Sequence, residues 1–249
     1  ILITHDLAVV ANMADNIAVM QHGQIVEMAP TQTLFSQMQH AYTKSLFAAS
    51  GHTDNLPNIA TNADNLLKVT HVSRQYRLPR KHPFEVARFA TVVSDVSFSI
   101  NHGERLGLVG ESGCGKSTLG KTIMGIHKLT EGSVNFEGSE IGHLSPSQSR
   151  QLRRRLQYTY QDPGSSLDPR WKIGRALHEP LEIHTSLSKE ERQKRVSAIL
   201  EAVNLPEAHL DLYPHEISGG QQRRIGLARI LTLHPSLIIL DEPTSGLDV

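Results

Sequence analysis

The chain has 249 residues, 39% of them hydrophobic, enough for one large or two small domains with a sizeable core. Its 25 basic residues balance 25 acidic ones, so no bulk field draws it to an anionic lipid surface, and nucleic acid is not an expected partner. The single cysteine, Cys114, excludes an intrachain disulfide framework or a multi-cysteine metal site, and no apolar run approaches the roughly 18–20 residues of a membrane-spanning helix.

The first element is an apolar strand, Ile1-Leu2-Ile3-Thr4, followed by His5-Asp6. Ile17 to Glu27 reads as two short strands around a turn at Gly23. Thr31 to Ala49 reads as a helical tail. Residues 51–65 are rich in Asn, Thr, Asp and Pro and read as a linker. A strand over Leu67–Tyr76 then opens a new stretch of regular structure. Because the chain opens on Ile1 in mid-strand, a fragment of a longer protein is expected.

Leu106 to Val109 is a short apolar strand, and Leu119 to Ile126 reads as a helix. Between them runs Gly110-Glu111-Ser112-Gly113-Cys114-Gly115-Lys116-Ser117-Thr118, the strand, glycine loop and helix of a phosphate-binding loop. A triphosphate is dense negative charge. Glycines let successive backbone N–H groups turn inward around it, and the helix N-terminus adds positive dipole. Lys116 is placed to reach the β- and γ-phosphates, and Ser117 to ligate Mg²⁺.

Ser133 to Phe136 reads as a strand, and Ser145 to Arg155 as a helix with a basic, solvated end. Gln161 opens a further helical region. Val196, Ile199, Leu200 and Val203 form an apolar stripe that predicts helix packing. In Ile217-Ser218-Gly219-Gly220-Gln221, Ser218 can cap the helix running from Gln222 to Leu233, and the two glycines leave its first N–H groups open to an anion. Leu237-Ile238-Ile239-Leu240-Asp241-Glu242 is an apolar run ending in two carboxylates, the pattern of a buried parallel strand with functional residues at its carboxyl end. Asp241 is placed to hold Mg²⁺ and Glu242 to orient or deprotonate an attacking water.

Gly110 to Thr118, Ser218 to Gln221, Leu237 to Glu242 and Ser245-Gly246-Leu247-Asp248 together resemble the Walker A, signature, Walker B and D-loop of an ABC-type ATPase. Gln161 matches the Q-loop, and Tyr76 the aromatic that stacks on adenine. Ile217 stands where family members usually carry Leu. Gln161 to Arg170, Tyr213-Pro214-His215-Glu216 and His40-Ala41-Tyr42-Thr43-Lys44 narrow the resemblance to the dipeptide, oligopeptide and nickel branch of bacterial importers. The iron–sulfur cysteines of some members are absent from residues 36–66.

The resemblance implies an α/β fold: a P-loop NTPase core, an antiparallel β-subdomain near Leu66 to Ile100, and a helical subdomain carrying the signature. It implies ATP and Mg²⁺ as cofactors, the cation held by Ser117, Gln161 and Asp241. The nucleotide is then held by Gly110 to Thr118, Tyr76, Ser218 to Gln221 and Asp248, and the catalytic residues are Glu242, Gln161 and His5. Ile1 to Asp6 resembles the strand of the H-loop, which in the family follows Walker B. Residues 1–50 are therefore expected to end one ABC ATPase domain and residues 66–249 to begin a second, within a tandem protein.

Each ATP in such a dimer lies between Walker A of one domain and the signature of the other, so the expectation is that this chain binds ATP with little turnover. A permuted packing of Ile1–Thr4 onto the second domain's own sheet is the alternative. The implied partners are transmembrane permease subunits, a second ATPase domain and, indirectly, an extracytoplasmic solute-binding protein. The implied location is the cytoplasmic face of the inner membrane, and residues 162–184 would face the permease. Trp171 is either core packing or an interface anchor there. The rival reading is a soluble ABC ATPase of DNA repair or translation, which would carry zinc modules or long coiled-coil inserts that this chain lacks. A non-catalytic regulator would lack Glu242.

Overall fold

The computed structural model describes residues 1–4, 7–48, 64–80, 82, 86–160 and 163–242. The chain is α/β and forms two compact units, Ile1–Leu144 and Ser145–Val249.

The first unit runs β1 (Leu2–Thr4), α1 (Leu7–Met13), β2 (Asn16–Gln21), β3 (Gln24–Pro30), α2 (Thr31–Ser36), α3 (Ala41–Ala48), β4 (Asn65–Arg77), β5 (Phe89–Asn101), β6 (Leu106–Val109), α4 (Lys116–Ile123), β7 (Glu131–Phe136) and β8 (Ser139–Glu140). β6 is the central strand here: β1 and β2 run parallel to it on either side, and β3 pairs antiparallel with β2. Ile17 to Met20 and the whole of β6 are buried, which is why both read as unbroken apolar runs. β4, β5, β7 and β8 form a second, antiparallel sheet in the order β5-β4-β7-β8; β4 and β5 fall where the sequence predicts a β-subdomain, and β7 and β8 extend it to later residues.

The front segment packs on the strand that feeds the phosphate loop. Asp15 clamps Arg105, its carboxylate accepting from the backbone N (2.8 Å), Nε (3.3 Å) and Nη2 (2.8 Å). Asn16 donates to Glu104 at 2.7 Å. The expected hairpin closes at His22-Gly23, with φ of 47° and 82°, the left-handed pair of a type I′ turn. Gly23 is also obligatory on space, because a Cβ there would lie 2.3 Å from the carbonyl oxygen of Val92.

Two helices replace the single expected tail. The carboxylate of Glu27 accepts from the backbone N of Gln39 (2.8 Å) and His40 (3.1 Å), in the connection between the two helices. Phe35 and Phe47 meet edge to face at 4.8 Å and hold α2 and α3 together. α4 stops at Ile123 rather than Ile126, where the N–H groups of Met124 and Gly125 close onto Gly120 and Thr122.

The second unit contains α5 (Pro146–Arg155), β9 (Leu156–Thr159), α6 (Ile173–His184), α7 (Lys189–Ala202), α8 (Gly219–Leu231) and β10 (Leu237–Asp241). β9 and β10 pair in parallel. Ser145, Ser188 and Ser218 each cap a helix and form a capping box with the residue three along. Arg153 to Arg155 are exposed, as expected for a solvated face. The core is helical: Ile173, Leu177 and Leu181 of α6 meet Val196 and Leu200 of α7 and Ile225 and Ala228 of α8. Ile199 and Val203 pack at its edge, so the predicted stripe is the packing face of α7. Trp171 stays outside this cluster, half-buried, with the Arg175 guanidinium carbon 3.8 Å from its ring centroid.

Candidate functional site

β6 delivers the chain to Gly110, and the loop re-enters regular structure at Gly115, the N-cap of α4. Gly115 has φ 109°, and a Cβ there would lie 2.6 Å from the carbonyl oxygen of Val92. Only glycine fits that approach without strain. Lys116 follows and is 4% exposed. Its Nζ donates to the carbonyl oxygens of Gly110 (2.8 Å) and Glu111 (3.0 Å), which satisfies a cation that burial would otherwise penalise. The ammonium is thus held against the loop, while Glu111, Ser112 and Gly113 are exposed at its tip. Ser117 and Thr118 sit half-buried on the first turn of α4, whose N-terminus points its positive dipole end at the loop. Cys114 is buried; burial pushes its thiol above the ordinary range, and the opposing pull of Lys116 does not offset this. It is therefore a packing thiol rather than a nucleophile.

Two supports of this loop come from the front segment and are not visible in motif spacing. Gly23, in the hairpin turn, donates its N–H to the carbonyl oxygen of Cys114 at 2.8 Å. Tyr42 of α3, 8% exposed, accepts the N–H of Glu111 on its hydroxyl oxygen at 2.9 Å, across 69 residues. Beside them a cavity of about 330 Å³ is lined by His22, Gly23, Thr91, Val92 and the loop from Glu111 to Cys114. Tyr42 is prominent in the sequence only through the segment His40 to Lys44. Tyr42→Phe keeps the ring and removes the acceptor, so it is expected to cost about 0.5–1.5 kcal/mol, one ordinary hydrogen bond, in chemical denaturation. An unchanged midpoint and slope would show that water replaces the hydroxyl without loss.

The second unit carries the acidic strand end. Asp241 closes β10 and is 4% exposed. Its Oδ2 accepts the hydroxyl of Tyr158 at 2.5 Å, and its backbone N donates to Thr159 Oγ1 at 3.3 Å. Burial, and then the Asp241 carboxylate, push the Tyr158 phenol far above its ordinary pKa, so it is a hydrogen-bond donor throughout the physiological range. Glu242 follows, half-buried, at φ 48°. His22 and Glu137 adopt the same left-handed conformation immediately after β2 and β7, so this φ marks a turn at the strand end.

A buried carboxylate at a strand end is a hard oxygen donor suited to Mg²⁺. Among the described residues no group of three or more His, Cys, Asp or Glu gathers as a self-sufficient metal site.

The helix start that Ser218 is expected to cap is present, with α8 beginning at Gly219 rather than Gln222 and ending at Leu231 rather than Leu233. Ser218 Oγ accepts the N–H of Gln221 at 3.3 Å, and Gln221 Oε1 accepts the N–H of Ser218 at 2.8 Å. Gly219 and Gly220 are exposed, and no heavy atom lies within 4 Å of a Cβ built at either. Ile217, 8% exposed, is sunk in the helical core, and Gln222 Nε2 donates to the carbonyl oxygen of Pro214 at 2.7 Å. A buried anchor on one side and open backbone on the other leave the loop fixed and accessible. Ile217 therefore serves the packing that the commoner Leu would serve.

Tyr76 is half-buried, with the Arg74 guanidinium carbon 4.4 Å from its ring centroid and the His127 ring edge-on at 5.9 Å. His5, Gln161 and Asp248 lie outside the described residues, as do residues 51–63 of the expected linker.

Comparison with known proteins agrees with this geometry. The family model described as ABC transporter matches residues 93–245. A glutathione import ATP-binding protein, GsiA of Pectobacterium atrosepticum, is 37% identical over the whole of this chain and 44% of its own length. An ABC transporter ATP-binding protein of Escherichia coli, YejF, is 39% identical over the whole chain and 47% of its own length. The chain thus spans a little under half the length of these relatives. Among solved structures, the ATP-binding cassette MJ0796, a dimer in a post-hydrolysis state with ADP and Pi, superposes with a TM-score of 0.65 at 29% identity, covering 74% of this chain and 76% of that one. CbiO1 of Clostridium perfringens, part of the ABC transporter complex cbiONQ, does so with a TM-score of 0.60 at 28% identity, covering 74% and 68%.

Proposed function

The chain belongs to the ABC transporter family, and from that premise we propose that it binds Mg-ATP as part of an ATPase subunit that powers import of a peptide-like solute. The observation that carries this reading is Lys116, an ammonium buried against Gly110 and Glu111 in a loop that opens α4. The names of the relatives support the solute class, since GsiA is a glutathione import protein. The DNA-repair or translation alternative has no support among them.

In this reading the loop from Gly110 to Thr118 holds the phosphates, and Tyr76 is the platform for adenine. Ser117, Gln161 and Asp241 hold Mg²⁺, which when bound neutralises phosphate charge. Glu242 orients the attacking water and accepts its proton, and His5 contacts the γ-phosphate. Ser218 to Gln221, with Asp248, serve the nucleotide held by an opposing ATPase domain. The presence of an H-loop-like strand ahead of the phosphate loop supports a parent with two ATPase domains in one polypeptide, residues 1–50 belonging to the end of the first, residues 51–65 linking and residues 66–249 belonging to the second.

The proposed partners are permease subunits and, through them, an extracytoplasmic solute-binding protein, which puts the subunit at the cytoplasmic face of the inner membrane. Among the described residues no helix is long and apolar enough to cross a membrane. The second unit carries a cavity of about 260 Å³ whose lining includes Ser166, Glu179 and Ile183, within the stretch assigned to the permease contact. Tyr160 and Ile183 are exposed at its rim, and an Arg229–Glu179 ion pair lies in its wall.

The test is nucleotide affinity with Mg²⁺ and ATP turnover of this chain, measured beside Glu242→Gln. Binding with little turnover in both is the expected result, because the opposing signature comes from a second ATPase domain. Turnover near that of an intact dimer, lost on Glu242→Gln, would show that this chain assembles complete sites by itself and would sink the split-site part of the proposal. Absence of nucleotide binding would sink the whole.

A further inference from the structure

β9 and β10 run parallel in a register that pairs Tyr158 with Ile239 and Thr159 with Leu240. Successive strand residues point to opposite faces, so Tyr158 and Asp241 share a face two residues apart. A tyrosine is long enough to span that step, and its hydroxyl reaches Asp241 Oδ2 at 2.5 Å. Tyr158 is itself 7% exposed, and its ring meets Tyr160 edge to face at 5.3 Å, so packing fixes the ring before the hydroxyl is placed. A phenylalanine would fill the same space. What tyrosine adds is one O–H, donated to the carboxylate at the end of β10.

We propose that Tyr158 is a positioning residue for the cation-binding carboxylate: its hydroxyl holds the plane of Asp241 in the orientation that serves Mg²⁺. The proposal rests on the reading that Asp241 serves the cation. Its physical basis is general. A carboxylate has a nearly free terminal torsion, and a hydrogen bond from a rigid neighbour removes that freedom before the metal arrives. Outer partners of this kind are worth about tenfold or more in metal affinity. No motif contains Tyr158, because the contact crosses 83 residues and depends on strand register.

The experiment uses Mn²⁺ as a paramagnetic stand-in for Mg²⁺, titrated into the full chain saturated with a non-hydrolysable ATP analogue and followed by electron paramagnetic resonance. Tyr158→Phe and Asp241→Asn are compared with the parent, and affinity for the analogue is measured separately in EDTA. The expected result is a Mn²⁺ dissociation constant raised about tenfold by Tyr158→Phe, with a broadened Mn²⁺ spectrum and unchanged affinity in EDTA. Asp241→Asn is expected to weaken Mn²⁺ further. If Asp241→Asn weakens Mn²⁺ and Tyr158→Phe does not, the positioning role is wrong while the carboxylate's role stands. If Asp241→Asn leaves Mn²⁺ affinity unchanged, the underlying reading of Asp241 fails and takes the proposal with it. Equal losses with Mn²⁺ and in EDTA for Tyr158→Phe would mark general damage to the fold and overturn the proposal.

Discussion

Replacing Lys116 by alanine is expected to weaken nucleotide binding at least about 100-fold, or about 2.7 kcal/mol. Charge-assisted hydrogen bonds contribute about 1.5–3 kcal/mol each, and an ammonium offers three donors to phosphate oxygens. In the structure two of those donors engage Gly110 and Glu111, so the side chain is already drawn against the loop that would hold the phosphates. Lys116→Arg is expected to bind poorly as well: the site around Lys116 is buried, and a planar fork does not fit where a compact point charge does. The measurement is the dissociation constant for a fluorescent ATP analogue, with the nucleotide-induced rise in melting temperature as a second readout. Removing Lys116 also leaves two carbonyls without their donor, so a modest drop in the melting temperature of the nucleotide-free variant is expected. Affinity within threefold of the parent would show that the backbone cradle binds phosphate without Lys116, and the functional reading would lose its main support.

The parts of this protein that were legible in the sequence are those whose physics is local. A phosphate loop is legible because glycines and Lys-Ser must stand at fixed spacing between a strand and a helix. Ser218 with Gln221 is legible because a capping box is a four-residue event. The stripe from Val196 to Val203 is legible because a helix face repeats every three to four residues. What could not be read is the pairing of distant groups. Tyr42 with Glu111, Gly23 with Cys114 and Tyr158 with Asp241 all depend on which strands lie side by side. The connection between α2 and α3 belongs to the same class, since Glu27 of a distant strand accepts its amides. Trp171 illustrates a different limit: a lone tryptophan suggests burial, yet stacking with Arg175 satisfies it at the surface of the cluster.

The front segment adds a physical lesson about the phosphate loop itself. β1 and β2 flank β6, and the hairpin turn and α3 each contribute one hydrogen bond to the loop. A loop whose N–H groups must face a ligand cannot use them all to stabilise itself. Its rigidity has to come from its carbonyls and from neighbouring elements. Cys114 O is taken by Gly23, and Gly110 O and Glu111 O by Lys116. Two amides are engaged as well, Glu111 N with the Tyr42 hydroxyl and Cys114 N with Glu111 O, so the loop is held through donors and acceptors together.

Leu200→Ala is expected to destabilise the second unit by about 2–5 kcal/mol, the range for emptying a leucine site in a close-packed core. Leu200 is fully buried on α7 and belongs to the cluster it shares with Leu177, Leu181, Ile225 and Ala228. α6 and α8 are held on either side by the same cluster, so neither can close the cavity without breaking its own contacts. Trp171, the only tryptophan, precedes α6 and reports on this unit by fluorescence during urea denaturation. Leu200→Met, which keeps the volume, is expected to cost under about 1.5 kcal/mol, and exposed Glu201→Ala under about 0.5 kcal/mol. A loss below 1 kcal/mol for Leu200→Ala would mean that the helices slide to refill the space. That outcome would have a functional reading too. Ile217 is part of the same cluster and sits immediately before Ser218. A core that tolerates sliding would let the loop from Ser218 to Gln221 move with it, whereas a core that resists holds that loop at a fixed position.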